Sequence, residues 1–296
     1  MSSPTIFPRA GGGEADFDFY VYNPSKPAGL IFVVLFAIGT VVQIGYLIPY
    51  RSWSFIPFIL GCAAEAGGYY GRAWAHDNIR LGAPYLLQLF LIIGAAPMLS
   101  ASIYMTLPRI TRALDAAEHS LIRLSWLSKI YILIDIACLV LQVIGTVAQA
   151  YGGSDKQQLA INLVAGGLIF QLVAFVVFML LALRVHRRLI NNPTHISAHL
   201  DVYWRMAFWS LYITSSLILL RNLVRIIEYV QGGDGYIITH EIFLYLFDAV
   251  PMFLVVLTLT VFYPGRLIKA ARRANKLGRY GDAAPLQGGD TRGQWV

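Results

Sequence analysis

The sequence predicts an all-helical membrane bundle of seven transmembrane helices, N-terminus outside and C-terminus in the cytoplasm. Three observations carry this. Of 296 residues, 57% are hydrophobic and only 13% are charged, whereas an ordinary soluble domain runs about 45–50% apolar and about 25% charged. The mean hydropathy of +0.60 comes from long apolar runs, which a bilayer accepts and a soluble core of this size does not. The basic residues, finally, are divided unevenly between alternate connections.

Residues 1–27 form a polar tail with Pro4, Pro8 and Gly11-Gly12-Gly13 and without the apolar stretch of a cleavable signal, so the first apolar run is expected to direct insertion itself. Runs able to cross about 30 Å of hydrocarbon as helices follow at 28–48, 54–74, 83–107, 129–150, 160–183, 206–229 and 239–263. The connections are short, so residues 28–265 read as one transmembrane domain with no inserted soluble module. Tyr46, Tyr50, Trp53, Trp74, Tyr85, Trp126, Trp204 and Tyr263 lie near span ends, as an interfacial belt requires. Pro97, after Gly94-Ala95-Ala96, is expected to kink or loosen the third span. Residues 266–296 form a basic cytoplasmic tail, largely disordered, whose first part offers a contact for anionic lipid.

Orientation follows from Lys and Arg. Of the 23, sixteen fall in the connections on one side and in the C-terminal tail, four on the other side, and Arg72, Arg221 and Arg225 lie inside spans. The positive-inside rule puts the crowded side in the cytoplasm. The net charge of +7 therefore marks cytoplasmic loops and not a nucleic-acid surface. Cys62 and Cys138 both sit in apolar runs, which speaks against a disulfide framework. Asn23 and Asn192 are each followed by Pro, so neither is a glycosylation acceptor.

Ionisable residues inside spans are costly, at roughly 2.5–3.5 kcal/mol each on insertion scales, so they turn inward, pair, and mark pathways. The second span carries Glu65, Gly68 and Arg72 on one helical face, with small residues, including Gly67-x-x-x-Gly71, that let another helix approach closely. The fourth carries a polar stripe of Asp135, Cys138, Gln142, Gly145, Thr146 and Gln149. The sixth and seventh are antiparallel across Gly232-Gly233-Asp234-Gly235, so Arg221 and Asp248 are expected to lie at one depth and to pair, with Arg225 among Glu228 and Glu241 nearer the outer surface. Glu65, Asp135, Gln142 and Asp248 are thus the candidates for a substrate pathway, and Arg72, Arg221, Arg225, Glu228 and Glu241 for a charge network.

These motifs resemble the fungal resistance-to-aminocholesterol, or RTA-like, lipid-translocating exporter family. The resemblance rests on Glu65-Ala-Gly-Gly-Tyr-Tyr-Gly-Arg72, on Ala101-Ser-Ile-Tyr-Met-Thr-Leu-Pro-Arg-Ile110, on Asp135 with Leu141-Gln142 and Gly145, and on Arg221-Asn-Leu-Val-Arg225-Ile-Ile-Glu228 running into His240-Glu241 and Tyr245-Leu-Phe-Asp248-Ala. It covers about residues 28–265. The chain departs from the family pattern at Tyr263-Pro264-Gly265, where a His-Pro-Gly is usual, at Gly145-Thr146-Val147, where a glycine triplet is usual, and at Pro108, where a glycine precedes the Arg. The resemblance implies seven membrane helices, frequently at the plasma membrane, and links to sphingoid-base translocation, to resistance against toxic amphiphiles and to tetrapyrrole movement. It brings neither catalytic residues nor a cofactor.

The function expected is a transporter or facilitator that exports lipids or cationic amphiphiles and so confers resistance to them. An ammonium group crossing the core needs a carboxylate on the way, and Glu65, Asp135 and Asp248 are spread through the bundle. The partners expected are membrane lipids or amphiphilic small molecules, with no nucleic acid. No Walker sequence occurs, so ATP is not the expected energy source. The alternative is a seven-helix lipid-sensing receptor or stress-response membrane protein. An enzyme is not expected: His-Glu-x-x-His and Gly-x-Ser-x-Gly are absent, and His195-x-x-x-His199 has Asn191, Asn192 and Pro193 for companions in a chain of six His, too few for a His-rich site, so neither a metal nor a cofactor is predicted.

Overall fold

The computed structural model describes residues 23–77, 79–116, 124–151, 154–195, 197, 201–231, 235–271 and 273. Among them all regular structure is helical. Residues 1–22 and 274–296 of the two tails, the glycine-rich connection 232–234 and His199 lie outside the described residues, whereas residues 266–271 of the basic tail are helical.

Helix α1 (Lys26–Tyr50) has Pro27 in its first turn, where its fixed φ suits the helix, and stops where Arg51 enters the left-handed region at φ 47°; the Arg51 N–H donates to the Ile48 carbonyl and the Ser52 N–H to that of Leu47. A single tight turn, Trp53–Phe55, leads into α2 (Ile56–Ala75), again with a proline in its first turn. Then come α3 (Gly82–Ala113), α4 (Leu124–Tyr151), α5 (Ser154–Asn191) and α6 (Asp201–Gln231). A short helical piece, Tyr236–Thr239, precedes α7, which is built from Glu241–Leu244, a π-helical turn Tyr245–Ala249 and Val250–Val261. The break at His240, in extended conformation, sets the start of α7 two residues into the span expected from hydropathy. Helices α3 and α5 run past the apolar runs that announce them, because Arg109, Arg112, Arg184, Arg187 and Arg188 are good helix formers that simply leave the hydrocarbon.

Six of these helices are long and apolar enough to cross a membrane: α1, α3, α4, α5, α6 and the stretch from Glu241 to Ala271. The protein is thus an integral multi-pass membrane protein. Helix α2 is not among the six, since its glycines, tyrosines, Glu65 and Arg72 dilute its apolar content. Packing explains how so polar a helix is held. Glu65, Gly68, Tyr69, Gly71 and Arg72 are all buried, and α2 is enclosed mainly between α1 and α3. A Cβ at Gly61 would stand 3.1 Å from the Ala95 carbonyl, one at Gly68 2.5 Å from Ile92, and one at Gly71 3.1 Å from the Pro84 carbonyl. The small-residue face of α2 thus lies against α3 along its length, and close backbone approach supplies the packing that binds membrane helices.

The exterior is apolar. Val41, Leu133, Leu180 and Val230 each expose more than half of their surface, as residues facing lipid do. Inside, Phe32, Phe36, Tyr69 and Tyr245 stack where α1, α2 and α7 meet. A second aromatic group, Tyr104, Tyr131, Phe175 and Phe178, joins α3, α4 and α5.

Candidate functional site

The polar residues of the spans are gathered inside the bundle and form a seam with three parts. At the end that holds the start of α1, the Arg72 guanidinium donates to Glu241 from Nη2 at 3.0 Å and to the Tyr245 hydroxyl from Nε at 3.2 Å. The same Glu241 carboxylate accepts from the Ser25 backbone N–H at 2.8 and 3.1 Å. A carboxylate at that position satisfies a free donor at the start of α1 and meets the positive end of its dipole. Nearby, the Pro24 carbonyl lies 2.7 Å from His76 Nδ1, and Lys26 pairs with Asp77 beyond the end of α2. The Lys26 hydrogen bond holds the exposed Asp77 carboxyl below its ordinary range.

One or two turns deeper, Arg221 and Arg225 of α6 meet Asp248 of α7. Arg221 Nε lies 2.5 Å from Asp248 Oδ1, and Arg225 donates from Nη2 to Asp248 Oδ2 at 3.0 Å and from Nη1 to Glu228 at 3.2 Å. Tyr69 donates to the same Asp248 oxygen from a longer 3.4 Å. Asp248 sits in the π-helical turn, a local widening that occurs frequently at functional sites. Glu65 stands beside this cluster, fully buried, and neither of its oxygens has a hydrogen-bond partner among the described residues.

The third part lies among α3, α4 and α5. Tyr104 donates to Asp135 Oδ1 at 3.5 Å, and Gln142 donates to Gln171 at 3.2 Å. Between this part and the arginines is a cavity of about 20 Å³ lined by Gln142, Gln171, Arg221, Asn222, Arg225 and Tyr229, with apolar walls from α3 and Leu168. That is room for about one water molecule. Asn222 Nδ2, buried in its wall, has no partner among the described residues.

The expected pairing of Arg221 with Asp248 is therefore present, as is that of Arg225 with Glu228. The expected approach of Glu241 to Arg225 is not: Glu241 turns to Arg72 and Ser25 instead. The reason is rotational. The break at His240 and the π-helical turn aim the first turn of α7 at the α1–α2 edge, and equal depth along two antiparallel helices does not fix their rotation. Glu65, Asp135, Gln142 and Asp248 are all buried. Gly145 packs against α5, with a Cβ there only 3.0 Å from the Ala160 carbonyl, while the side chain of Gln149 lies outside the described residues. Reading the spans for charges missed Gln171, Asn222, Tyr69, Tyr104 and Tyr245. Gln171, a lone amide in the middle of the apolar fifth span, carries the same signal as Gln142. The tyrosines carry none, because tyrosines are ordinary in membrane helices. No group of three His, Cys, Asp or Glu able to hold a metal occurs among the described residues.

The family model described as RTA1 like protein matches residues 58–271, from α2 to the end of the last described helix. The chain belongs to the RTA1-like family. The match takes in every residue of the seam except the α1 start. Among its relatives is the protoporphyrin uptake protein 1 of Saccharomyces cerevisiae, 33% identical over 84% of this chain and 92% of the relative. Protein RTA1 of the same yeast is 30% identical over 84% of this chain and 85% of its own. A yeast sphingoid long-chain base transporter is 24% identical over 83% of this chain and 73% of its own. No solved structure matches. The departures at Pro108, Thr146 and Tyr263 leave membership of the RTA1-like family unaffected.

Proposed function

We propose that this protein is a transporter or facilitator that moves a cationic amphiphile, such as a sphingoid long-chain base or an amine-bearing toxic compound, across or out of the membrane and so confers resistance to it. The observation that carries the reading is the buried seam: three carboxyl groups, Glu65, Asp135 and Asp248, lie inside a bundle whose exterior is apolar. A lipid ammonium entering a medium of low dielectric is stabilised by such groups far more than by any apolar wall. The relatives support the class, since two are named for uptake of a protoporphyrin and for transport of sphingoid long-chain bases. On this reading α2 is the seventh crossing, the N-terminus is outside, and the protein resides in the plasma membrane.

Release of a labelled sphingoid base from cells with and without the protein, at matched surface expression, tests the reading. Release should be faster with the protein and fall back with Asp135→Asn. Unchanged release with the protein at the surface would remove the transporter reading in favour of a lipid-sensing role.

A further inference from the structure

We infer that Glu65 exchanges a proton for the cationic headgroup: its carboxyl is protonated in the closed bundle and is deprotonated when an ammonium group takes the place of that proton. The inference rests on the transport reading above and adds to it the ion that is exchanged.

The groups that face Glu65 are Arg221 and Arg225 from α6 and Asp248 from α7, with Cys62 and Tyr69 one turn to either side on α2 itself. The other two helices around it contribute nothing ionisable at this depth. Helix α1 has no ionisable residue between Lys26 and Tyr46, and α3 none between Tyr85 and Tyr104. The two guanidinium groups are already matched by two carboxylates, because Asp248 takes both and Glu228 takes Arg225 a second time. Glu65 is a third carboxyl, fully buried, with no donor on either oxygen among the described residues. An ionised carboxylate there would be cut off from bulk solvent, with no donor among the described residues and with Asp248 near it, whereas a neutral acid avoids the far larger cost of burying a charge.

With Glu65 protonated, Arg221, Arg225, Glu228 and Asp248 sum to zero. One monovalent cation entering the seam unbalances that sum, and loss of one proton restores it. In the exchange the O–H bond of the Glu65 carboxyl breaks, the proton passes to water on the side that has opened, and the carboxylate faces the ammonium. When the amphiphile leaves, a proton from water closes the cycle, so one proton moves against each cation. Tyr69, bonded to Asp248 one turn from Glu65, and Cys62 stay neutral in this scheme.

Infrared difference spectroscopy of the full chain in liposomes, on addition of a sphingoid base, tests this, with release of labelled base measured on the same preparation. The protein should show the C=O stretch of a protonated carboxylic acid, and that band should fall as a carboxylate band rises. Glu65→Gln should lack the change and fold normally, since an amide has the shape of a neutral acid. Glu65→Asp should keep an acid band at a shifted frequency. Three results overturn the inference: no band that depends on Glu65, a Glu65 band indifferent to the added base, or a Glu65→Gln protein that unfolds while Glu65→Asp shows no acid band. If base is moved while the band stays, the transport reading stands and the proton exchange falls; if base is not moved and the band stays, both fall.

Discussion

At the scale of single residues, the seam is a set of charges whose cost is cancelled only by mutual contact. Arg221 and Asp248 are each about 95% buried, so removing Asp248 strands Arg221, and removing Arg221 leaves one arginine, Arg225, to serve both Asp248 and Glu228. Arg221→Leu and Asp248→Leu should each destabilise the folded protein by about 3–5 kcal/mol, while the double replacement costs much less because no charge is left without its partner. Thermal unfolding in detergent of the four proteins of this cycle measures the difference. Additive losses would mean that the two groups do not interact. The pair of Arg72 with Glu241 is less enclosed, with 20% of the Glu241 side chain exposed, and its loss should be milder. Which residues are charged and out of place was legible in the chain, since a Glu or Arg in an apolar run is rare. Which of them touch was legible only in part. Arg221 and Asp248 pair at the expected depth, but Glu241 turns away from Arg225 because pairing also depends on how each helix is rotated about its axis.

At the scale of elements, α2 is the most informative helix. Its hydropathy alone does not mark it as a crossing, yet its glycines seat it against α3 closely enough that added atoms meet backbone. A Cβ at Gly71 would lie 3.1 Å from both the Pro84 carbonyl and the Gln88 nitrogen, atoms that cannot swing aside, whereas around Gly166 in α5 nothing stands within 4 Å. Gly71→Val should therefore destabilise by about 1–3 kcal/mol, and Gly166→Ala should be neutral or stabilising by up to about 1 kcal/mol through helix propensity. Melting temperatures of the two variants, side by side, check this; equal losses would show that α2 does not pack against α3 through its glycines. Small residues at the right spacing announced a helix contact, but not with which helix. By contrast, the π-helical turn of α7 lies just before Pro251, which has no N–H for a helical bond, and the residue pattern alone does not distinguish such a widening from an ordinary proline at a helix start.

For the whole molecule, the division of Lys and Arg fixes the expected orientation. Cys62 and Cys138 are buried, so a cysteine placed in either tail should report with little background. In intact cells, Ser3→Cys should react with a membrane-impermeant maleimide, and Thr291→Cys only after permeabilisation. Labelling of the second and not the first would invert the orientation. The same experiment bears on the number of crossings, since termini on opposite sides require an odd number and hence α2 as a seventh.

The amino-acid sequence alone determined that this is a helical membrane protein, where its apolar helices lie, and which polar residues are anomalous. Those properties follow from composition and from charge placed where solvation is poor, and both are local. Only the tertiary structure decided that Arg221 and Arg225 share Asp248, that Arg72 and Glu241 meet at the start of α1, and that Glu65 is enclosed beside the arginines without a donor. Such contacts join residues up to 216 positions apart. They depend on the rotation, tilt and breaks of whole helices, which the packing of many side chains sets together.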